Sequence, residues 1–113
     1  MPEVVRIYEH GGADVLRHES LELPAPGPRE VLVRHTAVGV NFSDVYLRTG
    51  LYARALPSGV GTEAAGIIEK VGRGVREFKP GQHVAYYWTE PGAYASARVV
   101  PADLLLRLPR GLS

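Results

Sequence analysis

Thirteen glycines and nine prolines are spread through 113 residues, and their spacing rules out a fold built on long helices. A Gly or Pro every several residues either interrupts strand pairing or supplies a turn, which leaves room for short strands and tight connections. A mainly β domain is expected. Val4 to Tyr8 and Val15 to Leu23 read as two opening strands about the turn at Gly11-Gly12, and Pro24 through Pro28 ends their pairing. From Val31 to Val40, the residues Val31, Val33, Ala37 and Gly39 share one face and Arg34 and Thr36 the other. Leu32, Val38 and Val40 spoil the alternation, as in a strand partly covered on both sides. Ser43 as N-cap and Gly50 as the left-handed terminator predict a short helix over Asp44 to Thr49. Further strands are expected over Ala65 to Val71, His83 to Tyr87 and Ala93 to Val100.

A chain of this length suits one domain that buries roughly 65% of its unfolded surface, enough for a modest core. Thirteen Lys and Arg face twelve Asp and Glu, and the two signs alternate instead of forming blocks, so neither nucleic acid nor membrane is an expected partner. Cysteine is absent, which excludes a disulfide frame, a thiolate metal site and a cysteine nucleophile. The amino terminus carries Glu3, Arg6 and Glu9 and no apolar leader core, and no segment approaches membrane-spanning length. A cytoplasmic location is the expectation.

Gly59-x-Gly61-x-x-Ala64 formally matches a dinucleotide fingerprint, but the context is wrong. That fingerprint needs a buried strand before it and a helix after it. Here it follows Leu56-Pro57-Ser58 and leads into the strand-like Gly66-Ile67-Ile68, so it reads as a turn and then a strand. Gly72-Arg73-Gly74, with Glu77 where a third glycine would be needed, also reads as a turn. His10, His18, His35 and His83 fit no ligand spacing and are expected at ordinary surface or strand positions. Tyr86, Tyr87, Trp88 and Tyr94 form the densest aromatic group, suited to core packing, a subunit contact or the face of a flat substrate.

Two segments, Ala37-Val38-Gly39-Val40-Asn41-Phe42-Ser43-Asp44 and Gly61-Thr62-Glu63-Ala64-Ala65-Gly66-Ile67-Ile68-Glu69, resemble the catalytic half of the medium-chain dehydrogenase/reductase superfamily. The likeness continues through Val45-Tyr46-Leu47-Arg48-Thr49-Gly50-Leu51-Tyr52, Leu56 to Val60, and Val71-Gly72 through Phe78-Lys79-Pro80-Gly81. It departs at Gln82 and His83, which replace an acidic and a basic residue on a turn. In the zinc alcohol dehydrogenases the positions of Asn41 and Thr62 hold a cysteine and a histidine that bind zinc. An amide and a hydroxyl are poor zinc ligands beside thiolate and imidazole. The chain is therefore similar to the zinc-independent branch, the NADPH:quinone oxidoreductases of zeta-crystallin type, and no metal is expected.

That resemblance implies a GroES-like partial barrel with short helices, and it makes residues 1–113 the N-terminal catalytic domain, without the nucleotide-binding Rossmann domain of its relatives. It implies NADPH as cofactor, a quinone or another electron-poor carbonyl or alkene as substrate, and a homodimer for the full-length protein. Asn41, Phe42, Ser43, Asp44, Val45 and Tyr46 would line the nicotinamide side of a cleft, with Asn41 and Tyr52 as the catalytic hydrogen-bond donors. Plainer roles stand beside these. Asn41 would equally cap a turn or the helix, Asp44 would stabilise the helix's first turn, Tyr46 would be an amphipathic core side chain and Tyr52 a loop anchor. Glu63, counterpart of a glutamate near the metal in zinc relatives, is expected as a buried partner of an arginine. With half an active site, the isolated chain should bind NADPH weakly or not at all. The alternative function is a standalone binding or assembly module without catalysis, since the same fold serves the chaperonin-10 family.

Overall fold

The computed structural model describes residues 2–51 and 55–109, and its strands all pair antiparallel. The elements are β1 (Glu3–Ile7), β2 (Arg17–Ser20), β3 (Glu30–Val38), α1 (Phe42–Thr49), β4 (Ser58–Gly59), β5 (Glu63–Val71), β6 (His83–Tyr87), β7 (Ala97–Pro101) and β8 (Leu106–Arg107). They form a small sheet in the order β2-β1-β4 and a larger one in the order β7-β3-β5-β6-β8. The mainly β expectation holds, and α1 lies where the Gly50 signal put its end.

Boundaries moved for identifiable reasons. Val15 belongs to a single 3-10 turn, Ala13–Val15, and β2 starts only at Arg17. β2 stops at Ser20 because its partner Glu3 is the first residue of β1; beyond it one bond remains, from Leu21 N–H to the Pro2 carbonyl at 2.8 Å. Residues 93–96, expected as strand, instead stitch the two sheets together. The Tyr94 N–H donates to the Val60 carbonyl, the Tyr94 carbonyl accepts from Val5, and Ser96 N–H donates to Glu3. Neither β4 nor β8 was anticipated, each being two residues long.

The larger core lies on one face of the five-stranded sheet, around Val31, Val33, Ile68, Val84 and Val100, each at most 1% exposed. Full burial of such a side chain stabilises by about 1.5–3 kcal/mol relative to exposure. A second cluster, Ile7, Val15, Leu47 and Val60, holds α1 against the small sheet. Leu47 and Asp44 are the helix's buried residues, three apart and so on one face. The helix end is tied down as well: Gly50 takes φ 90°, and the Gly11 N–H donates to the Arg48 carbonyl at 2.9 Å.

Arg29 closes the far end of the larger sheet from a left-handed backbone, φ 60°. Its guanidinium donates to the Gly74 carbonyl, to both oxygens of Glu77 at 2.9 Å and to Asp103 at 2.7 Å. These bonds, the Arg29 pair first among them, hold the Glu77 carboxyl down at about 2. The group is exposed, so the consequence is read as titration and not as energy. In an NMR titration of the Glu77 side chain, Arg29→Ala should move the midpoint up from about 2 toward the ordinary 4.5. Stability from this pair is present above the ordinary value and lost as pH falls through the depressed one. An unmoved midpoint would assign the depression to the neighbouring main chain.

Candidate functional site

Asn41, not Ser43, is the N-cap of α1: its backbone is extended, φ −129° and ψ 157°, and the helix begins at Phe42. The residue three on is Asp44, whose Oδ2 accepts from the Asn41 N–H at 2.9 Å. That is the reach-back of a capping box, with Asp in place of Glu or Gln. The same oxygen accepts from the Tyr94 hydroxyl at 2.8 Å. Asp44 is 5% exposed, so these donors replace the water its charge would otherwise need. Burial first, then the Asp44 carboxylate, push the Tyr94 phenol well above its ordinary 10. Asp44 thus steadies the first turn, as expected, and its partner fifty residues away was not.

A recess of about 230 Å³ opens beside this turn, walled by Ser43, Asp44, Gly61, Thr62, Tyr87 and Thr89. Thr62 is set there by the connection into β5. Gly61 takes φ 95°, its carbonyl accepts from Gly92 and Ala93, and the Thr62 carbonyl accepts from Trp88. The fold therefore brings the two motif segments together at this recess, through Ser43-Asp44 and Gly61-Thr62. Asn41 precedes the wall residue Ser43 by two positions; on either side of it Val40 and Phe42 are 77% and 80% exposed. Tyr46 is partly exposed on the same helix, Val45 is half-buried, and Tyr52 lies outside the described residues. Ser43, Thr62 and Thr89 give the recess hydroxyls with no imidazole or thiolate among its walls, a set that suits the edge of a polar ring more than a zinc ion. Among the described residues no three His, Asp or Glu side chains converge as a metal cluster.

A shallower groove of about 480 Å³ runs over β3, β5, β6 and β8, lined by Val38, Gly39, Glu63, Tyr87 and Leu106 among others. Glu63 departs from expectation here. The ion pairs among the described residues engage Glu3, Glu69, Glu77 and Asp103, whereas the Glu63 carboxylate lies over Gly39, where a Cβ would sit 2.1 Å from Oε1. The four aromatics of the 86–94 region disperse. Tyr87 is 61% exposed and Tyr86 is buried, while Arg98 covers the Trp88 ring at 4.4 Å. His35 is no incidental strand residue: it bonds Tyr86 at 2.9 Å and the Ala95 carbonyl at 2.8 Å. The Gly59-Gly61 region is a two-residue strand and a turn before β5, as read from its context.

Comparison with known proteins agrees with this fold. Residues 27–110 match the alcohol dehydrogenase GroES-like domain family. The chain is 44% identical over 99% of its length to a quinone oxidoreductase of Pseudomonas aeruginosa and 40% identical over 94% to a 2-haloacrylate reductase of a Burkholderia species. The crystal structure of Escherichia coli quinone oxidoreductase complexed with NADPH superposes on 98% of the chain with a TM-score of 0.95 at 42% identity. The chain spans about a third of each of these relatives: 35%, 33% and 34%. No helix among the described residues is long and apolar enough to cross a membrane.

Proposed function

Because the chain belongs to the alcohol dehydrogenase GroES-like domain family, we propose that it supplies the substrate-side half of a cytoplasmic, zinc-independent oxidoreductase. The reaction is hydride transfer from NADPH to a quinone or another electron-poor carbonyl or alkene. The observation that carries this reading is the meeting of Ser43-Asp44 and Gly61-Thr62 in one recess, two positions from Asn41, whose walls carry hydroxyl groups and no soft metal ligand. Relatives that reduce quinones or a haloacrylate, by their names, agree with an acceptor activated by hydrogen bonds alone.

NADPH, when bound, supplies the hydride; this chain's residues place the acceptor against it. The Asn41 amide donates to the acceptor oxygen as negative charge develops there, and Tyr52 is proposed as the second donor. Ser43 and Thr62 hold the polar edge of the ring, and the exposed Val40 and Phe42 cover its faces and exclude water. The pyrophosphate cradle belongs to a nucleotide-binding domain, so the 113-residue chain alone is proposed to be inactive.

Joining the chain to the nucleotide-binding portion of the Escherichia coli relative provides the test. Steady-state kinetics with NADPH and a simple benzoquinone should show turnover, and Asn41→Ala and Tyr52→Phe should each lower kcat/KM by about 10- to 100-fold, equivalent to about 1.4–2.7 kcal/mol. Calorimetry on the unjoined chain should show no sub-micromolar NADPH binding. Absence of quinone reduction by the joined protein, or wild-type rates in both variants, would overturn the assignment.

A further inference from the structure

Tyr94 is fixed from three sides. Its N–H donates to Val60, its carbonyl accepts from Val5, and its ring lies so close over Gly61 that a Cβ there would meet Cδ1 at 2.5 Å. From that anchored position the hydroxyl reaches Asp44 Oδ2 at 2.8 Å, the oxygen that also holds the Asn41 main chain at 2.9 Å. A single oxygen thus links the loop after β6 to the residue proposed to touch substrate, and Tyr94 itself leans on the turn before β5. Leu47, on the same helix face, adds apolar contact but no directionality.

We infer that Tyr94 and Asp44 are the positioning pair of this site: the Tyr94 hydroxyl orients the Asp44 carboxylate, and the carboxylate sets the Asn41 backbone so that its amide meets the acceptor oxygen without searching for it. This rests on the oxidoreductase reading above. A two-bond relay to the main chain restricts the φ of Asn41, and a misplacement of the donor by 1 Å is costly in a reaction that depends on orientation. The arrangement is specific to the loop–helix contact, for the reach-back from Asp44 to Asn41 would cap the helix without Tyr94. In this chain the hydroxyl is the added part, and it acts through Asp44 and not on substrate.

Tyr94→Phe removes that hydroxyl and keeps the ring over Gly61. In the joined protein it should lower kcat about 10-fold while KM for quinone and for NADPH stays within about twofold. Asp44→Ala, which removes the shared oxygen, should lower kcat at least as far, and adding Tyr94→Phe to it should lower kcat by no more than about twofold further. In the 113-residue chain, hydrogen exchange at the Asn41 amide should quicken about 10-fold in Tyr94→Phe, with β3 and β5 amides unchanged. A joined wild-type protein without quinone reduction would sink the functional reading. A joined wild-type protein that works, with Tyr94→Phe at wild-type kcat or with Asn41 exchange unchanged, would overturn the positioning role alone. A Tyr94→Phe loss that persists in full in the Asp44→Ala background would also overturn it, because the hydroxyl would then act independently of Asp44.

Discussion

Gly66→Ala should lose about 3 kcal/mol of folding stability, although the residue sits in a strand with an ordinary backbone. A Cβ built on Gly66 would lie 2.2 Å from the Arg34 carbonyl oxygen and 2.9 Å from Val33 Cγ1. The oxygen belongs to the main chain of the neighbouring strand. Gly66 pairs with His35, beside the irregularity between His35 and Ala37 where the β3–β5 register shifts, so β3 can retreat only by loosening that ladder. Gly→Ala at a compatible φ normally stabilises by about 0.4–1 kcal/mol through the unfolded chain; here the clash reverses the sign. Gly81→Ala serves as the control, for its added Cβ meets nothing within 4 Å and only the φ of 91° is unfavourable, a cost of about 1–2 kcal/mol. Urea unfolding followed by Trp88, the single tryptophan, should give a much lower midpoint for Gly66→Ala with an unchanged slope. If the two variants unfold alike, β3 yields and the close approach is not a constraint.

Gly66 illustrates what was legible in the sequence and what was not. That it lies in a strand follows from Ala65 to Val71; that it must be glycine depends on Arg34, a residue that only pairing places beside it. The helix shows the same division. Its C-terminus is readable from Gly50, a local conformational requirement, whereas at its N-terminus the sequence offers both Ser43 and Asn41 as caps, and a hydroxyl that is a good cap in isolation favours the wrong one. The Asn41-x-x-Asp44 pattern carried the correct answer, and the spacing of three was the signal. Tyr94 gave none, since fifty residues separate it from Asp44. The 93–96 segment has strand composition but bonds to two different sheets, and composition does not report the partner. The proposed site was most legible where its chemistry is stated by residue type, in the Asn41 and Thr62 substitutions, and least where burial redirects a familiar residue, as with Glu63 and His35.

His35→Phe should cost about 3 kcal/mol at pH 7.5 and should also remove a pH dependence that the native chain carries. The Ala95 carbonyl can only accept, so His35 Nδ1 carries the proton in the 2.8 Å contact between them. In the neutral ring Nε2 is then bare and accepts from the Tyr86 hydroxyl at 2.9 Å. In the charged ring Nε2–H would donate to the Tyr86 oxygen and the hydroxyl would have to turn away, so what disfavours that form is the burial of its charge beside Arg98. Burial holds the His35 pKa below its ordinary 6.5; Arg98 pushes the same way, and the Ala95 bond opposes both. The groups facing the ring are Tyr86 from β6 and Arg98 from β7, while β5 presents Gly66. Because the folded value is lowered, the stabilisation is whole above the unfolded value of about 6.5 and is lost as pH falls from there toward the folded one. Thermal melts between pH 7.5 and pH 5 should show Tm declining in the native chain, and less steeply in His35→Phe. The variant leaves the Tyr86 hydroxyl and the Ala95 carbonyl without their partner, so adding Tyr86→Phe should restore part of the loss by deleting one orphaned group. If His35→Phe keeps both the native stability at pH 7.5 and the native pH slope, then the bond between β3 and β6 contributes nothing, and the acid sensitivity arises elsewhere than at His35; the carboxylate pairs around Arg29 are not its source, since they are lost only below about 4.5.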